Sequence, residues 1–270
     1  LAGGTGGEGC KVSKAAPATA RPGGPRRSLV FGFALVVGLL GGTGLVSLVG
    51  TMDHRFRLPD EVKSLLSVQV LGRVPPLSFP RGTASRLMHS ARMVLGSSWT
   101  AYAESYRSLR TLLVANFPQE GCQILQITSP QESDGKTTVS ANLATSYAQL
   151  GKRILLIDAD LHQGEINKIF DVSNHQGLTE ILEGEADVNT VIQRASEVEL
   201  DIITRGRGVK NTVELVSSPL FGQTLEQMRD KYDVVIVDTP PTLVLSDAAI
   251  MARCVDHVLM VVMIGKTTVA

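Results

Sequence analysis

The residues best suited to chemistry lie in a short polar stretch, SPQESDGKTT at positions 129–138, between an apolar run and a helix-like segment. Successive backbone N–H groups of such a surface loop, together with the N-terminus of the helix that follows, form a concave site for phosphate groups. Lys136 would add a positive charge to that site, and the hydroxyl of Thr137 could bind Mg²⁺. The spacing therefore predicts a nucleotide-binding loop that comprises Ser133, Asp134, Gly135, Lys136, Thr137 and Thr138.

Three carboxylates follow two other apolar runs. ILLIDAD places Asp158 and Asp160 at the end of one run, and VVIVD ends a second run with Asp238. Ligands of parallel α/β sheets bind at the carboxyl ends of the strands, so these acids are expected beside the phosphate loop. Asp158 and Asp160 can both reach that edge only if the strand ends between them. Asp247 is interpreted differently, as the N-cap of the next helix.

Phosphoryl-transfer chemistry, which depends on positioning and charge stabilisation, suggests a role for each of these side chains. Thr137, Asp158 and Asp238 are the predicted partners of Mg²⁺, directly or through water. The predicted catalytic residues are Lys136, Asp158, Asp160 and Asp238. Alternatively, the two acids after the first apolar run only cap the next helix.

The rest of the C-terminal part alternates apolar runs with helix-like stretches. Strands rich in Val, Ile and Leu that are joined by helical crossovers predict a parallel α/β sheet covered on both faces. The expected fold class is a doubly wound P-loop NTPase sheet. The predicted strands are 122–128, 153–159, 200–204, 232–238 and 257–264, and the predicted helices lie near 136–150, 177–183, 218–231 and 246–254.

The N-terminal part contains a long apolar stretch. Residues 29–50 carry no charge, and a helix of that length would cover about 33 Å, which matches the hydrocarbon core of a bilayer. The apolar region of a signal peptide is shorter, so one transmembrane helix is predicted. The predicted division is a Pro/Gly-rich periplasmic linker at 1–27, the membrane helix at 28–50, a cytoplasmic connector at 51–100 and a P-loop domain at 101–270.

Two further expectations concern these N-terminal segments. Within the connector, PDEVKSLL predicts a short helix and VQVLGRVP predicts a strand. Five basic residues precede the membrane helix closely and three follow it, which by the positive-inside rule weakly favours a cytoplasmic N-terminal side. We expect the opposite orientation, because ATP is cytosolic and the predicted nucleotide site follows the helix. The sequence starts with Leu1 and is interpreted as part of a longer protein.

Composition excludes some classes of function. The 26 basic and 26 acidic side chains balance, so the chain has no basic surplus for neutralising nucleic-acid phosphates. Aromatic residues make up 4%, too few for base-stacking platforms. The three cysteines have no metal-ligand spacing and are typical of small apolar residues in a reducing compartment.

The three motifs together resemble a known family. SPQESDGKTT, ILLIDAD and VVIVDTPP are similar to the Walker A, A′ and B motifs of the bacterial tyrosine kinases called BY-kinases. These kinases are related to the Min and Par partition ATPases, which have a second lysine five residues before the P-loop lysine, where this chain has Gln131. The kinase branch is also favoured by ESYRSLR at 104–110, which resembles the ExxRxxR oligomerisation motif of that branch.

The resemblance implies cofactors, partners and a location. It implies ATP and Mg²⁺, and a ring-like homo-oligomer joined through Glu104, Arg107 and Arg110, which share one side of a helix. That helix precedes the first predicted strand and so need not be covered by its own sheet. An ordinary solvated helix face is the alternative. The sequence upstream resembles the second membrane helix and juxtamembrane connector of a polysaccharide co-polymerase, which implies the bacterial inner membrane and the machinery of polysaccharide polymerisation and export.

The chain differs from the family pattern at several positions. The family loop usually reads Pro-Gly-Glu where this chain has Glu132-Ser133-Asp134, and a serine adopts positive φ only at a cost. His162 replaces a usual arginine, and Gly164 and Asn167 replace a usual proline and histidine. No tyrosine-rich tail occurs within the 270 residues, and Tyr147 and Tyr232 are predicted to be structural.

Three hypotheses about function follow. The leading one is a membrane-anchored kinase that transfers the γ-phosphoryl group of ATP to tyrosine on a neighbouring subunit and regulates exopolysaccharide or capsule polymerisation and export. The second is an ATP-binding regulatory module of a chain-length determinant without kinase activity. The third is a partition-type ATPase, against which Gln131 and the membrane helix argue.

Overall fold

The computed structural model of the protein describes residues 26–52, 68–76, 100–117 and 121–267. The chain forms two compact units, Leu1–His54 and Arg55–Ala270. Nearly all of the linker predicted at 1–27 and the short helix predicted at PDEVKSLL lie outside the described residues.

The first unit contains one helix, α1 (Arg27–Met52). Residues Arg27–Leu48 have a mean hydropathy of 2.2, and none of their side chains is buried. By length and composition this helix is able to cross a membrane, although a signal sequence near an N-terminus would meet the same criterion. The helix predicted at 28–50 is therefore present, and its membrane location stays a prediction.

The second unit is built on a sheet whose strands run in the order β3-β4-β2-β5-β1-β6 in the described part of the chain. Five strands are parallel and β3 pairs with β4 in the antiparallel direction. The strands are β1 (Gln123–Thr128), β2 (Ile154–Asp158), β3 (Gln193–Arg194), β4 (Asp201–Ile203), β5 (Val234–Asp238) and β6 (His257–Met260). All five predicted strands are confirmed, but β6 ends at Met260 rather than at residue 264.

Helices cover both faces of this sheet. They are α2 (Ala101–Asn116), α3 (Lys136–Ala148), α4 (Ile166–Phe170), α5 (Leu178–Leu182), α6 (Val188–Val191), α7 (Thr212–Ser217), α8 (Pro219–Met228), α9 (Asp247–Met251) and a 3₁₀ turn (Ala252–Cys254). The four predicted helices are confirmed as α3, α5, α8 and α9. The helices α4, α6 and α7, which have four to six residues each, were not predicted.

Successive residues of the strands point to opposite faces, as a period of two requires. Leu156 and Ile236 pack in one hydrophobic cluster with α2 and α3, while Leu155 and Val235 pack in the other with α5 and α8. The sheet is thus buried between two helical layers, and the predicted doubly wound α/β class is confirmed. The strand predicted at VQVLGRVP is wrong: residues 68–75 are irregular, and Leu71 and Val74 pack against the first cluster.

The helix α2 is part of this core. Thr100 caps it by accepting a hydrogen bond from the N–H of Ala103, and Tyr106, Leu109 and Leu113 are buried. One face of this helix is therefore covered within its own chain, although its position before the first strand did not require this. Its apolar face lies in the same cluster as Leu143 of α3.

Candidate nucleotide-binding site

The loop between β1 and α3 has the backbone conformation of a phosphate cradle. Ser133 and Gly135 have φ angles of 59° and 95°, in the left-handed region that glycine adopts freely and serine rarely. The positive φ considered at position 133 is confirmed. Gly135 caps α3 without a side-chain hydrogen bond, so the first N–H groups of this helix remain available to an anion.

Lys136 lies at the start of α3 and is buried rather than exposed on a surface loop. Its Nζ donates a hydrogen bond to Oδ2 of Asp160 at 2.7 Å and lies 3.4 Å from Oγ1 of Thr137. Burial lowers the pKa of this lysine, but the negative charges of Asp238 and Asp160 outweigh burial and raise the pKa above its ordinary value. Lys136 is therefore a positive charge held in place by carboxylates.

Asp158 is the last residue of β2 and lies opposite Asp238 in the pairing of β2 with β5. Its Oδ2 accepts a hydrogen bond from the N–H of Ile166 at 3.1 Å, while Oδ1 has no hydrogen-bond partner among the described residues. Burial and the nearby Asp238 raise the pKa of Asp158 to about 8. A Cβ at position 164 would lie 2.3 Å from Oδ1 of Asp158, so Gly164 is what leaves space for this carboxylate.

Asp160 lies two residues beyond the end of β2. The strand thus ends between Asp158 and Asp160, as is required for both side chains to reach the carboxyl edge of the sheet. Its Oδ1 accepts a hydrogen bond from the N–H of Gln163 at 2.9 Å, and its carbonyl accepts from the N–H of Gly164. Asp160 thereby stabilises the turn after β2 while it holds Lys136. The alternative that these acids cap the next helix is correct in part. Asp158 accepts a hydrogen bond from the N–H of Ile166, which is the first residue of α4.

Asp238 ends β5 and is wholly buried. The hydroxyl of Ser140 donates a hydrogen bond to its Oδ1 at 2.8 Å, whereas Oδ2 has no partner within the described ranges. Burial raises the pKa of Asp238, against the opposing effects of Lys136 and of the Thr137 and Ser140 hydroxyls. Ser140 was not predicted as a site residue, although its position one helical turn after Lys136 could have indicated it.

The donor set fits a magnesium ion that arrives with a nucleotide. In the described residues no group of three or more His, Cys, Asp or Glu side chains is arranged to hold a metal alone. Two buried carboxylate oxygens, Oδ1 of Asp158 and Oδ2 of Asp238, nevertheless lack a hydrogen-bond donor there. Mg²⁺ is typically bound by one or two carboxylates together with phosphate oxygens and water. Asp158, Asp238 and the hydroxyl of Thr137 fit such an ion.

His162 takes part in a contact beside this site. Its Nε2 lies 3.2 Å from Oδ2 of Asp247 and 2.9 Å from Oγ1 of Thr212. The prediction that Asp247 is a helix N-cap is wrong, because Ser246 is the N-cap and Asp247 is the first residue of α9. The buried carboxylate of Asp247 instead joins α9 to the turn after β2.

The three charged residues of α2 have different surroundings. Arg107 and Glu104 form an ion pair of 3.2 Å on the outer side of the helix. Arg110 donates hydrogen bonds to the hydroxyl of Ser146 at 2.9 Å and to the carbonyl of the same residue in α3. Arg110 therefore supports the packing of α2 on α3 within one chain, and the assembly role of the three residues stays a prediction.

All four tyrosines of the chain are buried. The exposed fractions are 6% for Tyr102, 0% for Tyr106, 3% for Tyr147 and 7% for Tyr232. Tyr147 and Tyr232 are structural as predicted, and the other two form an edge-to-face ring pair in α2.

Comparison with known proteins agrees with this geometry. A protein-family model described as an AAA domain matches residues 123–269. Tyrosine-protein kinase ptk of Acinetobacter johnsonii is 32% identical over 246 residues, which cover 90% of this chain and 34% of the relative. Tyrosine-protein kinase etk of Escherichia coli K12 is 43% identical over 165 residues, which cover 61% of this chain and 23% of the relative. The chain thus spans about a third or less of the length of these curated relatives.

Two solved kinase domains have the same fold. The kinase domain of Escherichia coli tyrosine kinase ETK superposes with a TM-score of 0.70 at 35% identity, covering 78% of this chain and 84% of that domain. The BceF tyrosine kinase domain gives a TM-score of 0.66 at 28% identity and covers 79% of this chain and 88% of that domain. The order of the strands, the phosphate loop and the acids at the carboxyl edge describe a nucleotide-binding P-loop domain. The chain belongs to the AAA domain family and, within it, to the bacterial tyrosine-protein kinase domains.

Proposed function

We propose that this domain binds ATP with Mg²⁺ and transfers the γ-phosphoryl group to a tyrosine hydroxyl. The observation that carries the proposal is the convergence of the Lys136–Asp160 pair with two unpartnered carboxylate oxygens, on Asp158 and Asp238, at one edge of the sheet. Relatives named as tyrosine-protein kinases support tyrosine as the acceptor.

Each side chain has a role in this reaction. Lys136 and the N–H groups of loop 133–138 neutralise and orient the phosphates. Mg²⁺, bound beside Thr137, Asp158 and Asp238, would neutralise charge on the phosphate oxygens. The tyrosine oxygen bonds to the γ-phosphorus as the bond from phosphorus to the bridging oxygen breaks, and ADP leaves. Asp158, whose Oδ1 has no hydrogen-bond donor in the described part of the chain, is one candidate to accept the tyrosine proton, and Asp160 is the other.

The acceptor tyrosine belongs to another polypeptide segment. Because the four tyrosines within the 270 residues are buried and hold the fold together, none presents its hydroxyl to an active site. We propose that a neighbouring subunit of the longer protein supplies the acceptor, in a homo-oligomer that Glu104, Arg107 and Arg110 help to assemble.

The location and the biological process are part of the same proposal. The apolar helix α1 would anchor the chain in the bacterial inner membrane with the kinase domain in the cytoplasm. The resemblance of the upstream segments to a polysaccharide co-polymerase supports a role in regulating exopolysaccharide or capsule polymerisation and export.

A regulatory module that binds ATP without transferring phosphate is the second candidate, favoured by the left-handed serine in the phosphate loop. Incubating the chain with a Glu/Tyr copolymer and detecting phosphotyrosine with and without Mg-ATP separates the two. A kinase gives an ATP-dependent signal that is lost in Lys136→Met. A regulatory module binds ATP with the same dependence on Lys136 and gives no signal. A partition-type ATPase releases inorganic phosphate only.

A further inference from the structure

The turn that follows β6 is closed on itself. The N–H groups of Lys266 and Thr267 donate hydrogen bonds to the carbonyl of Met263 at 3.1 and 3.0 Å. The N–H of Met263 in turn donates to Oγ1 of Thr267 at 3.1 Å. Residues 263–267 therefore form a compact unit, named here the 263–267 turn.

This turn contacts the phosphate loop through two side chains. The hydroxyl of Thr267 donates a hydrogen bond to Oδ2 of Asp134 at 3.0 Å, and the same oxygen accepts from the N–H of Gln131 at 3.2 Å. The ammonium group of Lys266 donates to the carbonyl of Glu132 and lies 3.4 Å from Oδ1 of Asp134. Thr267 and the side chain of Asp134 have no exposed surface. The Thr267–Asp134 hydrogen bond is therefore buried and charge-assisted, which makes such bonds strong, while the Lys266 side chain is 40% exposed.

The residue between the two contacted positions is the strained one. Ser133 lies between Glu132 and Asp134, and its φ angle of 59° is one that non-glycine residues adopt at a cost. Such a conformation persists only where the surroundings determine it. Both neighbours of Ser133 are held by the 263–267 turn, which is more than a hundred residues away in sequence.

We propose that Lys266 and Thr267 are positioning residues, which hold the phosphate loop in its binding conformation and offset the left-handed backbone of Ser133. They act through Asp134 and Glu132 and need not touch the nucleotide. This proposal rests on the proposed binding of ATP at Lys136. It predicts that the contacts of Lys266 and Thr267 with the phosphate loop raise ATP affinity. It also predicts that losing these contacts matters less when residue 133 is a glycine.

The test measures ATP affinity by calorimetry, with Mg²⁺, on the 270-residue chain in detergent micelles. Thr267→Val and Lys266→Met should each weaken ATP binding by about tenfold, the scale of one charge-assisted hydrogen bond. Thr267→Ser, which keeps the hydroxyl, should bind as the wild type does. In a Ser133→Gly background the effect of Thr267→Val should fall to about threefold, since glycine adopts positive φ without strain.

Matched controls separate positioning from general stability. Thr224→Val removes a buried hydroxyl that bonds only within α8. Lys231→Met removes a lysine that bonds Asn189 and lies just before the amino end of β5, at the opposite edge of the sheet. Both controls should keep wild-type ATP affinity. A KM for ATP that rises in Thr267→Val while kcat is unchanged would be a further sign of positioning.

The outcomes distinguish this proposal from the proposed function. If the wild type binds ATP, Lys136→Met does not, and Thr267→Val binds normally, the positioning proposal is refuted and the nucleotide site stands. If Thr267→Val weakens ATP binding by the same factor in the wild-type background and in the Ser133→Gly background, the link to backbone strain is refuted. If neither the wild type nor any variant binds ATP, both proposals fail.

Discussion

Nζ of Lys136 lies 2.7 Å from Oδ2 of Asp160, and the two side chains are only 11% and 4% exposed. The lysine proposed to bind phosphate is therefore already neutralised by a carboxylate of the turn after β2. A nucleotide phosphate has to compete with Asp160 for this lysine, which makes the ion pair part of both the stability and the binding of the domain.

Replacement of Lys136 should accordingly have two separable effects. Lys136→Met should abolish measurable ATP binding and lower the free energy of unfolding by about 3–5 kcal/mol, because one partner of a buried pair is removed. Adding Asp160→Asn should recover most of the stability, by chemical denaturation, without recovering ATP binding. A double variant as unstable as the single one would contradict the pairing.

Ser140 should matter because it orients Asp238. Ser140→Ala should lower phosphoryl transfer and the apparent affinity for Mg²⁺ by about tenfold, the usual effect of removing a hydrogen bond behind a metal ligand. Thr145→Ala is the matched control, since this buried hydroxyl in the same helix bonds only to the carbonyl of Ala141. Magnesium titrations of both variants provide the measurement, and equal effects would assign the loss to the helix rather than to Asp238.

The charged residues of α2 should divide into two groups. Arg110→Ala should lower the melting temperature, because its hydrogen bonds to Ser146 join α2 to α3. The double variant Glu104→Ala/Arg107→Ala should keep the melting temperature and lose oligomers, since exposed ion pairs contribute little to folding. Sedimentation of both variants with Mg-ATP tests this division. Unchanged oligomers in the double variant would remove the assembly role.

The helix α1 should hold the chain in the membrane with the kinase domain in the cytoplasm. Reporter fusions placed before Ser28 and after Asp53 measure the side on which each end lies. We expect an exported N-terminal reporter and a cytoplasmic C-terminal one. The reverse result would agree with the count of basic residues and refute this topology.

Much of the fold was predictable because its signals are local. The buried strands are continuous apolar runs, the GKTT motif marks the start of α3, and the acids at the ends of β2 and β5 lie where such strands place them. Ser140, the pairing of Lys136 with Asp160 and the contact of Thr267 with Asp134 were not predicted. The two contacts depend on segments that only the folded sheet brings together, and the sequence pattern carries no signal for them. Ser140 differs, because its position one helical turn after Lys136 could have indicated it.

The central claim, that phosphate passes from ATP to tyrosine at this site, is tested most directly by a single turnover. The chain, in excess over ATP labelled at the γ-phosphate, is mixed with a Glu/Tyr copolymer, and phosphoamino acids are analysed over time. We predict label on tyrosine with the wild type and with Asp201→Asn, a control at the opposite edge of the sheet. Asp158→Asn should lower the rate by about a hundredfold or more, the effect of removing a general base. Label that appears only in inorganic phosphate, or ATP that stays intact although it is bound, would contradict the account.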